Sequence, residues 1–133
     1  MTKLESQKQI INFSDENMFK LVSNANNLIK LLPIEKIENW TSTENSCSFH
    51  IKGLTTLEIE VYEKSEFTIV KYKNSIEKPF AFEMHFLISK IDSETSETQI
   101  ILNADLNMTL KFLVSTPLKN LLDIMNKNIK NAF

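Results

Sequence analysis

The sequence predicts an α+β fold, with an antiparallel sheet packed on a C-terminal helix, from three observations. Between Ile37 and about Asn107 the apolar residues recur at every second position, the period of half-buried strands. Polar breaks at 43–46, 64–66, 74–78 and 92–98 divide that stretch like hairpin turns. From Leu118 the period becomes helical, with Leu118, Leu121, Leu122, Met125 and Ile129 on one stripe and Lys119, Asn120, Asp123, Asn126 and Lys127 on the other.

Each element follows from its local chemistry. The first twelve residues suit a strand ending near Phe13. Ser14 then offers a helix N-cap with Asp15 and Glu16 in the first turn, and Met18, Phe19, Leu21 and Val22 follow at helical spacing. Leu28, Ile29, Leu31 and Leu32 form a second short helix that stops at Pro33. The meander gives an expected sheet of seven strands, one face apolar and one solvated. Residues 108–114 are either the start of the last helix, kinked at Pro117, or a separate piece before a helix capped by Thr116.

Composition narrows the function. The 133 residues fit one domain spanning 1–133, which buries about two-thirds of its unfolded surface without disulfide or metal. Fifteen basic residues, all Lys, against 17 acidic ones leave a net charge of −2, so nucleic acid is not an expected partner. Gly53 is the only glycine, which rules out glycine-rich phosphate and dinucleotide loops. Cys47 is the only cysteine, so no intrachain disulfide or multi-cysteine zinc site exists. The polar start, the free thiol and the lack of any transmembrane-length apolar run lead to the expectation of a cytoplasmic protein.

The order strand, two short helices, long meander and amphipathic last helix resembles the START-like superfamily, also called Bet v 1-like or SRPBCC. The segment from Ile11 to Phe19 is similar to the first strand-to-helix step of that family, Lys78-Pro79-Phe80-Ala81-Phe82 to a segment of small bacterial members, and Pro117 to Leu122 to their last helix. The resemblance implies a helix-grip fold, a curved sheet around the long C-terminal helix, with a hydrophobic cavity between them. Members bind lipids and other apolar molecules, and some catalyse cyclisation or dehydration. The chain lacks the glycine-rich loop of the plant allergen branch and the cavity Arg of several cyclases.

Strand parity then assigns candidate residues. Cys47 and His50 lie three apart and so on opposite faces, which argues against a nucleophile–base dyad. Cys47 reads as a small buried hydrophobe and His50 as solvent-facing. Glu83 and His85 share the convex face, where a metal would need a third ligand from a neighbouring strand. They read as ordinary surface polarity, and neither a metal nor a cofactor is expected. The inward wall comprises Phe49, Ile51, Leu57, Ile59, Tyr72, Phe82, Met84, Phe86 and Leu102, with Leu113, Leu121 and Met125 from the helical region. Tyr72 either anchors a ligand through its hydroxyl or bonds another part of the protein. Open space is expected near Tyr72, Phe82, Met84 and Leu113. The expected partner is a hydrophobic small molecule or lipid. The alternatives are a cyclase- or dehydratase-like enzyme acting on an apolar substrate, and a ligand-free interaction module, which an exposed apolar patch would favour.

Overall fold

The computed structural model describes residues 1–132. Strands β1 (Thr2–Glu5) and β2 (Gln9–Ile11) lead to α1 (Asp15–Ser23) and two 3-10 turns, Ala25–Lys30 and Ile34–Lys36. The meander follows as β3 (Ile37–Ser42), β4 (Ser46–Ile51), β5 (Thr56–Ser65), β6 (Ile69–Asn74), β7 (Phe82–Asp92) and β8 (Thr95–Ala104). Helix α2 (Met108–Asn128) and a 3-10 turn, Ile129–Asn131, end the described chain. All pairings are antiparallel, in the order β1-β8-β7-β6-β5-β4-β3, with β2 also on β8.

The first strand is therefore interrupted, which makes eight strands where the period suggested seven. Buried Ser6 causes the break without leaving β8 unpaired. Its amide donates to the Ile100 carbonyl at 2.9 Å, and its Oγ accepts from the Ile100 amide at 2.8 Å. A side chain thus takes one place in the backbone ladder.

Ser14 caps α1 as expected, its Oγ accepting from the Asn17 amide at 3.1 Å, and Met18, Leu21 and Val22 are buried. Asn107 caps α2 by accepting from the Leu110 amide at 2.8 Å. Helix α2 runs through Pro117 as one helix, so residues 108–114 are its start and not a separate piece. The C-terminal half of α2 is fastened by polar groups. Asn126 Nδ2 donates to the Gln7 carbonyl at 2.5 Å, Gln9 Nε2 donates to the Asn126 carbonyl, and Asn128 Nδ2 donates to the Leu31 carbonyl at 2.8 Å.

Leu113 does not face inward; it is 60% exposed. The buried α2 positions are Leu118, Leu122, Met125 and Asn126, and Leu113 lies five residues before Leu118, about 140° away around the helix. Leu110 and Val114 take the inward face instead and pack on the core, while Met108, Phe112 and Leu113 stand in solvent.

Candidate functional site: an apolar cavity under the last helix

Alternation along β4, β5, β7 and β8 places Phe49, Leu57, Ile59, Phe82, Met84 and Leu102 on the concave face, all buried. Leu118, Leu121, Leu122 and Met125 of α2 come down opposite them, and Leu28, Leu32 and Phe80 close the sides. These thirteen residues enclose a cavity of about 30 Å³ with no polar side chain in its lining. At about 24 cal/mol per Å³, leaving it empty costs less than about 1 kcal/mol. The fold therefore stands without an occupant.

Eight of the twelve residues assigned from sequence line this cavity: Phe49, Leu57, Ile59, Phe82, Met84, Leu102, Leu121 and Met125. Ile51 is buried but lines a surface groove beyond it, and Phe86 is packed edge-on against Tyr72 with ring centroids 5.8 Å apart. Leu113 is outside altogether. Tyr72 is fully buried, and its hydroxyl donates to the Val22 carbonyl at 2.6 Å. The reading of Tyr72 as a ligand anchor is thus corrected, because the backbone of α1 takes its only donor. The open space lies beside Phe82 and Met84 as expected, and away from Tyr72 and Leu113.

Leu28, Leu32 and Phe80 were not assigned to the wall from sequence. Phe80 precedes β7 and owes its place to buried Asn74. Asn74 Nδ2 donates to the carbonyls of Ile76 at 2.9 Å and Phe80 at 2.7 Å, and its Oδ1 accepts from the Phe82 amide at 3.1 Å. Leu28 and Leu32 come from the segment just before Pro33, and their spacing of four was the available signal. Trp40, half-buried, stacks on Phe49 at 5.6 Å and braces it from outside the cavity.

A second concavity adjoins the first. Pro33, Ile51, Gly53, Leu54, Pro117, Leu121 and Ile124 help line a surface groove of about 280 Å³ between the β4–β5 turn and α2. Gly53, at φ +78°, makes that turn tight in a conformation side chains rarely adopt. Leu121 lines both the groove and the cavity.

The ionisable groups nearest the core are silenced by their surroundings. Burial pushes the Cys47 thiol up to about 12. Burial, followed by the proximity of Cys47, holds the Tyr72 phenol far above its ordinary value. His50 Nδ1 is 2.9 Å from Thr56 Oγ1 on the other face, as parity required. Among the described residues no group of three His, Cys, Asp or Glu side chains is placed to hold a metal, and no helix is long and apolar enough to cross a membrane.

Compared by sequence, the chain matches no family profile and no curated protein. Compared by structure, it resembles many solved chains. A START superfamily protein from Mycobacterium smegmatis superimposes with a TM-score of 0.76 at 13% identity, over 97% of this chain and 94% of that one. Protein XoxI from Bacillus cereus gives 0.76 at 14% identity, over 100% and 96%. A norcoclaurine synthase from Thalictrum, solved with a transition-state analogue, gives 0.71 at 10% identity, over 99% and 96%. With its curved antiparallel sheet closed around one long terminal helix, the chain has the helix-grip fold of START-like proteins.

Proposed function

We propose that the chain binds an apolar small molecule or lipid between the concave sheet and α2. The wholly apolar lining of the cavity carries this reading. At about 30 Å³ the cavity is closed to such a ligand, whereas small-molecule pockets run to roughly 300–1,000 Å³. Leu121 is the partition between it and the outer groove of about 280 Å³. Rotation of that half-buried side chain would join the two spaces and bring them to the lower end of the pocket range. The ligand therefore enters beside the Gly53 turn, with its apolar part against Phe49, Phe82 and Met84. A panel of fatty acids and uncharged hydrocarbons, read as the shift in melting temperature, tests this reading.

The second reading, a ligand-free interaction module, has its own observation. Met108 and Phe112 are each 89% exposed, and with Leu113 they form an apolar patch on one half of α2. If the whole panel leaves the melting temperature unchanged, this reading takes precedence. Enzymatic cyclisation has no such support, since neither Tyr72 nor Cys47 reaches the cavity lining.

A further inference from the structure

The cavity lining offers a ligand no polar partner, and the Tyr72 hydroxyl is taken by the Val22 carbonyl. Burying a polar or charged group without a partner is costly, so a ligand's head group has to stay at the mouth. That mouth is the groove of about 280 Å³ between the β4–β5 turn and α2. Of the ten described residues that line it, two are charged, and both are lysines, Lys36 and Lys52. In a chain of net charge −2 this is a local reversal of sign.

The backbone holds the two lysines together. The Lys52 amide donates to the Lys36 carbonyl at 2.9 Å, one step beyond the Ile37–Ile51 pair that opens β3. Both are exposed, and among the described residues neither is in an ion pair. Glu35, in the same 3-10 turn as Lys36, pairs with neither of them. Like charges placed opposite one another on paired backbone repel, and an anion between them relieves that repulsion. The groove is apolar along Ile51, Leu54, Leu121 and Ile124. It is also unobstructed at Gly53, where an added Cβ would meet no atom beyond the neighbouring residues within 4 Å.

We propose that this groove is a head-group site, in which Lys36 and Lys52 select a single-chain amphiphile with an anionic head, of the fatty-acid carboxylate type. The inference rests on the apolar-cavity reading above and adds to it the charge of the ligand. The chain passes Leu121 into the cavity, while the head stays in the groove, where the Asn120 amide offers a further donor. The joined volume, at the lower end of the pocket range, suits one chain and not two. A lysine ammonium is a compact point charge without the planar fork of a guanidinium, so the site reads the sign of the head more than its shape.

The experiment titrates the full chain with three probes of one chain length, decanoate, decanol and decylamine, at neutral pH and low salt, and reads their dissociation constants by calorimetry. Wild type should bind decanoate more tightly than the cationic decylamine. A variant carrying Lys36→Gln and Lys52→Gln should weaken decanoate by about three- to tenfold, the size expected of two exposed ion pairs. It should leave decanol within about twofold and tighten decylamine. Raising the salt to about 0.5 M should weaken decanoate in the wild type and leave decanol unchanged. Unchanged decanoate affinity in the double variant, or an equal change for all three probes, would overturn the head-group site while decanol binding left the cavity reading standing. Failure of all three probes to bind the wild type would overturn both.

Discussion

The Tyr72 hydroxyl and the Val22 carbonyl, 2.6 Å apart, tie the middle of the sheet to the last turn of α1. The carbonyls of a final helical turn have no partner within the helix, so this phenol caps α1 from fifty residues away. Tyr72→Phe should cost about 1–3 kcal/mol, because it leaves a buried acceptor unpaired. It should leave apolar ligand affinity unchanged, since Tyr72 is not in the cavity wall. Denaturant unfolding measures the first quantity and ligand titration the second. A stability-neutral Tyr72→Phe that weakened polar ligands would restore Tyr72 as an anchor.

Phe82→Ala should destabilise by about 3–5 kcal/mol, and Leu122→Ala by about 2–5 kcal/mol, because both side chains are buried where sheet and helix meet. Leu113→Ala should lie within about 0.5 kcal/mol of wild type, as expected for an exposed site. Chemical denaturation of the three variants checks the helix face directly. A large loss at Leu113 would mean that α2 is rotated.

Alkaline pH should destabilise the fold. The Cys47 thiol titrates near 9 when unfolded and near 12 when folded, so the native state holds its proton more tightly. Stability is then independent of this group below pH 9 and falls above it, by about 1.4 kcal/mol per pH unit, until the folded value is reached. Tyr72 adds a second loss of the same sign above pH 10. Urea midpoints between pH 8 and 10 for wild type and Cys47→Ala test this, and the wild type should lose clearly more stability than Cys47→Ala between pH 9 and 10. At pH 8 the buried thiol should resist alkylation until the chain unfolds.

The period of two was enough to place Phe82, Met84 and Leu102 inward and Glu83 and His85 on the other face, because a strand has only two sides. Helix facing is less constrained. The stripe from Leu118 was legible, but Leu113 could not be placed by a run whose start was ambiguous at Pro117. Contacts made by polar side chains with distant backbone were invisible in the same way. Asn74 holding Phe80, Ser6 replacing a ladder position and Tyr72 capping α1 depend on tertiary neighbours that no local pattern encodes. The small size of the cavity also depends on how thirteen side chains interdigitate, which composition does not determine.

Entry of an apolar ligand into the cavity past Leu121 is tested by one paired measurement. Melting temperatures of wild type and Leu121→Ala are recorded against rising concentrations of a medium-chain fatty acid. Without ligand, Leu121→Ala should be less stable by about 1–3 kcal/mol, less than a fully buried leucine would lose. With ligand at a hundred times its dissociation constant, the wild type should gain about 2.7 kcal/mol, a shift of roughly 8 °C. Leu121→Ala, with its partition removed, should reach the same shift at lower ligand concentration. No shift in either protein at any soluble concentration would rule out binding in the cavity, and a wild-type shift that Leu121→Ala leaves at the same concentration would rule out entry past Leu121.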